Sequence, residues 1–501
     1  MKRRQERGTR PPAANGENAG ESAKPELVIG LTAAVGTPLD LVERALSTAF
    51  VSLGYGAETL RLSEYIDGFE LKAVTSSRGE AGRIDAAMRR GNEARRKTGR
   101  NDILALAAIA EIRRRRGTES RPLPARTFVL RQLKRPEEVQ LLRRTYGEGF
   151  VLIGVYCSRA EREKYLKQRG IGSSEITSLI RRDEHESELG GQALRDTFHL
   201  ADLFIEVGAD PAGAELEVKR VIHLLVGLGI STPTRAEFGM FQAYAASLRS
   251  AQLGRQVGAS LLSEIGDVIS VGTNEVPRFR GGLYWEGEKP DGRDHRLGRD
   301  SSDEAKEEIL REVLGKIDPE WSRASGETKQ RLFLDRLERL ASTRIASLTE
   351  FGRAVHAEAE AIVSAARMGV STRETELYCT TFPCHVCAKH IVAAGIRSVT
   401  FIEPYPKSRA LDLHRDSISL EVKDKKKVLF RPFVGVAPRA FTRLFSMKTT
   451  DGVDHPRKDK NGRAILDQMH VRVGMTYFSP LQREDLAARD LDSITKKGVN
   501  R

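Results

Sequence analysis

Cysteine is scarce in this chain: among 501 residues there are four, Cys157, Cys379, Cys384 and Cys387. So few thiols exclude a disulfide-stapled scaffold and suit a reducing compartment, so a cytoplasmic location is expected. Long apolar runs are missing too. No stretch approaches the roughly 20 residues that a membrane-spanning helix needs, and no membrane partner is expected. The first 24 residues lack the apolar segment of a signal peptide; rich in Arg, Gly, Pro, Glu and Asn, they read as a disordered basic tail. Aromatic residues make up only 6% of the chain, and no Phe or Tyr accompanies the basic runs at 113–116 and 423–427, which leaves few platforms for stacking bases.

Positive charge is what the chain has in excess. Lys and Arg number 82 against 69 Asp and Glu, a formal net charge of +13, which attracts nucleotide phosphates and polynucleotides alike. The basic residues come in short runs, among them Arg89-Arg90, Arg143-Arg144, 95–97, 113–116 and 423–427, beside helical patterns or acidic neighbours. Each run taken singly reads as a solvated helix face. Nucleic-acid binding is therefore not the first expectation. At 501 residues the chain exceeds what one core normally fills, and two domains are expected.

Residues 25–230 alternate apolar strands with helices. Strands are expected at 27–32, 127–130, 150–156 and 201–207, and helices at 39–53, 136–146, 158–169 and 212–226. That alternation predicts an α/β domain with a mostly parallel sheet covered on both faces. The first strand runs through Gly30 and Thr32 into Gly36-Thr37-Pro38 and a helix, an order that can cradle phosphate on backbone N–H groups. Gly30, Thr32, Gly36 and Thr37 are the candidate nucleotide-binding residues. The loop lacks the Walker A lysine and its glycine spacing is one residue too long, so phosphoryl transfer is not expected. Two readings stay open: a P-loop kinase-like domain holding a regulatory nucleotide, and a strand–turn–helix with no ligand. Residues 227–233, with Gly227, Gly229 and Pro233, read as a linker.

The densest chemistry lies in 236–480. A helix is expected at 236–249 and a hairpin at 256–262 and 268–274, followed by a charged insertion at 286–345. Next come His356-Ala357-Glu358 at the head of a small-residue helix, a strand at 376–381, and Pro383-Cys384-His385-Val386-Cys387 opening a second helix. His356, Cys384 and Cys387 make three ligands for Zn(2+), the number a catalytic site uses when water takes the fourth position. Both thiols lie in a helix's first turn, where the dipole favours the thiolate. A Glu two residues after the His has no purpose in a closed structural site and suits a general acid/base. Cys379 is expected in the core, Cys157 lacks metal spacing, and His385 is only a marginal candidate for the metal.

Together these residues carry the full pattern of the cytidine and deoxycytidylate deaminases: His-Ala-Glu, Ala361-Ile362, Pro-Cys-x-x-Cys, Ile391. Segments 272–277, 281–285 and 430–439, with the loop at 30–37, extend the likeness over roughly 25–450. The chain resembles the bacterial anti-phage dCTP deaminases, which join a P-loop-like domain to a deoxycytidylate-type deaminase. The resemblance implies a C-terminal three-layer α/β/α zinc deaminase domain in which Glu358 is the catalytic acid/base and not a ligand. It further implies that Asn274 contacts the sugar, with Arg255 and Thr381 as other substrate-binding residues. The implied activity is hydrolysis of dCTP to dUTP and ammonia, which starves phage DNA synthesis, held in check by the N-terminal domain. A polynucleotide cytosine deaminase or a dCMP deaminase is the alternative, and a homo-oligomer is expected.

Overall fold

The structure is a computed structural model that describes residues 24–65, 79–117, 122–184, 194–208, 210–340, 343, 351–405, 408–421, 424–448, 452, 454–473 and 479–499. The expected tail up to residue 23 and the end of the charged insertion, beyond 340 apart from 343, lie outside the described residues.

Strands β1 (Leu27–Ala33), β2 (Gly56–Arg61), β3 (Arg126–Arg131), β4 (Phe150–Tyr156) and β5 (Leu203–Glu206) form a parallel sheet in the order β5-β4-β1-β3-β2. All seven residues of β1 are buried. Leu27, Ile29 and Leu31 face one core and Val28 the other, because a central parallel strand carries helices on both sides. The helices expected around it are present as Leu39–Ser52, Pro136–Tyr146, Arg159–Gln168 and Pro211–Val226. Two further helices, Glu80–Thr98 and Ile103–Arg116, had no clear signal in the sequence. The second is buried on nearly every side, so it has no apolar stripe to reveal its period.

The second sheet joins β6 (Gly258–Leu262), β7 (Val268–Thr273), β8 (Glu376–Thr381), β9 (Ser398–Glu403), β10 (Ile418–Ser419) and β11 (Val428–Pro432) in the order β10-β11-β9-β8-β6-β7. The expected hairpin is there, β6 antiparallel to both β7 and β8. Alternation along β6 sorts its faces. Ala259 and Leu261 join the core under helices Ala357–Arg367 and His385–Ala393, whereas Ser260 donates to the Gly239 carbonyl (2.7 Å) in helix Arg235–Ser247 on the opposite face. Helix, sheet, helix is the expected three-layer arrangement. The insertion folds as helices Ser301–Ile317, Pro319–Arg323 and Gly326–Leu340 around Leu310, Leu314, Trp321 and Phe333.

The two halves share a core. Met240 and Ala243 of helix Arg235–Ser247 and Phe433 lie in the same cluster as Phe128, Leu152 and Phe204 of the first sheet. After two intervening residues β11 is followed by β12 (Gly435–Val436), which pairs antiparallel with β5 and extends the first sheet. Glu237, fully buried, holds this junction: its carboxylate accepts the Val436 N–H (2.8 Å), the Thr234 N–H (2.6 Å) and both Nη groups of Arg220 (2.8 Å each). Helix Ser479–Val499 also returns to the first half, where buried Arg116 pairs with Glu26 and Glu484. The described segments 433–445 and 479–499, the first of them read from sequence with the second domain, thus lie against the first. A two-residue strand is too short to show a period. No helix among the described residues is long and apolar enough to cross a membrane.

Candidate active site

Three segments converge at one end of the second sheet. His356 is the N-cap of helix Ala357–Arg367, Cys384 the N-cap of helix His385–Ala393, and β8 lies between these helices in the chain. The first helix sits unusually close to the sheet. A Cβ on Gly272 of β7 would come within 2.1 Å of the Ala357 carbonyl oxygen, and Ser270 donates to the Ala361 carbonyl (2.7 Å). Small residues at 357, 361 and 365 allow this approach, which fixes where His356 and Glu358 stand.

His356 Nδ1 is 3.3 Å from the sulfurs of both Cys384 and Cys387. One ligand atom from each residue lies within 4.8 Å of the others, a grouping that could hold a metal ion. Tetrahedral zinc, with bonds of ~2.0 Å to nitrogen and ~2.3 Å to sulfur, places such atoms roughly 3.6 Å apart, so the set fits that ion. The electrostatics suit it as well. The Cys387 thiol and the His356 ring hold Cys384 down to about 4, the Cys384 sulfur holds the His356 ring up to about 9, and the Cys387 N–H donates to the Cys384 sulfur (3.4 Å). A sulfur poised as thiolate is the ligand form. Zinc is the cofactor of this site. His385 is not in the ligand group. Cys379 is fully buried in the core and Cys157 is buried, and burial raises both thiols.

Glu358, two residues on, is 5% exposed, and burial raises its carboxyl despite the pull of the His356 ring. It is not one of the ligand group and stands beside it, its carboxylate accepting from the Cys387 thiol.

The family model of the cytidine and deoxycytidylate deaminase zinc-binding region matches residues 233–403, which include all four of these side chains. This stretch is similar to the zinc-binding region of those deaminases. ComE operon protein 2 of Bacillus subtilis (strain 168) is 32% identical over 90 residues, 16% of this chain and 48% of that protein. The deoxycytidylate deaminase of Enterobacteria phage T2 is 37% identical over 82 residues, 16% of this chain and 42% of that protein. The chain thus spans about half the length of these relatives. A solved dCMP deaminase from the cyanophage S-TIM5, in complex with dCMP and dUMP, aligns at 19% identity with a TM-score of 0.23 over 40% of this chain and 98% of that one.

Around His356, Cys384 and Cys387 the structure gathers the three expected substrate residues at the same end of the sheet. Asn274, just past β7, spends its amide on the chain: Oδ1 accepts the Val257 N–H (2.7 Å) and Nδ2 donates to the Arg255 carbonyl (2.8 Å). Thr381 donates to Glu403 (3.3 Å), Arg255 reaches the same carboxylate (3.5 Å), and the Arg255 guanidinium lies 5.6 Å from the Tyr405 ring. Sequence reasoning passed over Glu403 and Tyr405. The signal was present in the apolar run 398–402, since a strand there, parallel to β8, sets Glu403 beside Thr381.

The N-terminal candidates are divided. Gly36 and Thr37 line an open cleft, while Gly30 lies inside β1, where a Cβ would come within 2.7 Å of Leu133 Cδ1, and Thr32 is fully buried in the same strand. The basic run 113–116 is spent internally on Glu111, Glu26, Glu484 and Asp485.

Proposed function

We propose that this protein hydrolyses the amino group from the cytosine ring of a free deoxycytidine nucleotide. The observation that carries this is the buried Glu358 carboxyl standing against His356, Cys384 and Cys387. His356, Cys384 and Cys387 would hold zinc, which when bound acts as a Lewis acid that lowers the pKa of water toward neutrality. Glu358 would take a proton from the attacking water as its oxygen adds to C4 and pass it to N3, then take the proton of the new C4 hydroxyl and hand it to the amino group as the C4–N4 bond breaks, leaving a C4 carbonyl and ammonia. Burial serves this by raising the carboxyl's proton affinity.

Of the deoxycytidine nucleotides, dCTP is the proposed substrate and dUTP the product. Loss of dCTP would arrest phage DNA replication, the biological role that the resemblance suggests. The names of the phage relatives support dCMP as the second reading. Asn274, Arg255 and Thr381 would bind the nucleotide, the second Nδ2 hydrogen of Asn274 being the one turned to sugar. A regulatory nucleotide in the N-terminal half and a homo-oligomer complete the proposal. Internal pairing of the run 113–116 argues against the polynucleotide alternative. Purified protein given dCTP, dCMP, CTP and single-stranded DNA separately, with ammonia and uracil products measured, tests the assignment. Turnover of DNA alone would refute it, and dCMP turnover without dCTP turnover would replace the triphosphate by the monophosphate.

A further inference from the structure

The loop after β1 already holds an anion of its own. The Val35 N–H donates to Asp183 Oδ2 (2.6 Å), and Lys134 Nζ sits 2.6 Å from Asp183 Oδ1 and 2.7 Å from the Ala33 carbonyl. Asp183 is fully buried and Lys134 nearly so. A phosphate could take that N–H only by displacing a carboxylate that is paired, buried and carried in the last turn of helix Ser173–Glu184.

The room lies beside the loop, at the carboxyl ends of β1, β2 and β3, where open α/β sheets place their ligands. The cleft there has a volume of about 770 Å³, within the range of small-molecule sites. Seven basic side chains line it against three acidic ones. Arg61 and Arg131 end two neighbouring strands at directly paired positions, a like-charge arrangement that costs stability by itself. Asp40 and Glu43 pair with Arg131, and Arg169 pairs with Glu80, whereas Arg61 is exposed and makes no hydrogen bond or ion pair among the described residues. Thr37, 7% exposed at the head of helix Leu39–Ser52, lines the cleft with a hydroxyl that has no partner among the described residues. Leu62, Ile84, Met88 and Leu104 give the other wall an apolar surface.

We propose that this cleft binds a free nucleoside di- or triphosphate, its phosphates on Arg61, Arg131, Arg169 and the Thr37 hydroxyl and its base on the apolar wall, while Asp183 keeps phosphate off the Val35 N–H. This deepens the reading of the N-terminal half as nucleotide-binding and is independent of whether the zinc site deaminates anything.

The test uses full-length Glu358→Gln protein, so that no nucleotide is consumed, titrated calorimetrically with ATP and with inorganic tripolyphosphate. Binding of both is expected, weakened at least about tenfold in Arg61→Glu and in Arg169→Ala, as loss of a charge-assisted contact implies. Zinc content should be unchanged in both. Because Arg61 is exposed, its replacement leaves the fold intact, which a melting curve checks. Absence of binding by the parent, or binding unchanged in Arg61→Glu, overturns the proposal. So does Asp183→Asn binding tripolyphosphate more than tenfold tighter, which would put the phosphate on the loop. A single-stranded oligonucleotide that displaces ATP at lower concentration than tripolyphosphate does would overturn the assignment to a free nucleotide. A protein that binds ATP here yet deaminates no nucleotide keeps this proposal and sinks the deaminase reading.

Discussion

Glu358 owes its position to one helical turn, since it follows the N-cap His356 by two residues and is buried with it. Replacing it by Gln keeps the shape and the ligands but removes the proton carrier. Glu358→Gln should retain zinc by metal analysis and lose at least ~100-fold in turnover. Cys384→Ala or Cys387→Ala should instead lose zinc and lower the melting temperature, since metal binding adds to folding energy. Full zinc occupancy in either would show that the ligand set is wrong. At this scale the sequence was most legible where chemistry is local: a motif of five residues names two ligands. Glu403 and Tyr405 were legible only as far as the strand pattern at 398–402, because they reach Thr381 and Arg255 through strand pairing and packing, not through spacing. Gly36 was singled out for phosphate, yet its φ of +84° and a would-be Cβ 2.9 Å from Leu166 Cδ1 already require glycine there. Gly36→Val is therefore expected to destabilise the protein with or without nucleotide.

At the scale of elements, the zinc site rests on how closely a helix can approach a sheet. Gly272→Ala should push helix Ala357–Arg367 off β7, where the added methyl meets the Ala357 carbonyl and the Ala361 N–H. The expected cost is ~1–3 kcal/mol in denaturant unfolding with weakened zinc retention, and unchanged zinc affinity would disprove the coupling. Strand β8 carries a second device. Burial pushes the Glu376 carboxyl up, but the Tyr378 hydroxyl (2.7 Å) and Arg397 (2.6 Å) outweigh it and hold the group below the usual glutamate range. A depressed folded pKa adds stability above the unfolded value, and that stability fades as pH falls through the folded one. Glu376→Gln should thus be less stable than the parent at pH 7, with the gap closing below about pH 4; a gap independent of pH would exclude this origin. Strands were legible as apolar runs and amphipathic helices from their period, as β1, β4, β8 and helix Pro136–Tyr146 show. Helix Ile103–Arg116, buried all round, was not.

At the scale of the whole molecule, composition suggests a boundary near 230 but gives no sign of the segments that pack across it. Nothing local in 433–436 or 479–499 announces that these segments pack on the first half. Removing residues 479–499 should strip buried Arg116 of Glu484, and breaking a buried pair costs roughly 3–5 kcal/mol. The truncated protein should melt lower while keeping zinc. Proteolytic nicking within 227–233 should leave two fragments that elute together under native conditions, and clean separation would contradict the shared core.

The order in which the sheets close has a consequence for synthesis on the ribosome. The edge of β5 waits for its partner until Gly435 and Val436 have been made, after the entire second sheet. At ~5–20 residues per second that delay is on the order of tens of seconds. Through that time the nascent chain shows an open strand edge to its neighbours on the same messenger, which is where pairing between chains begins. Yield of this protein should therefore depend on translation speed and on chaperones that shield strand edges, more than its finished stability suggests.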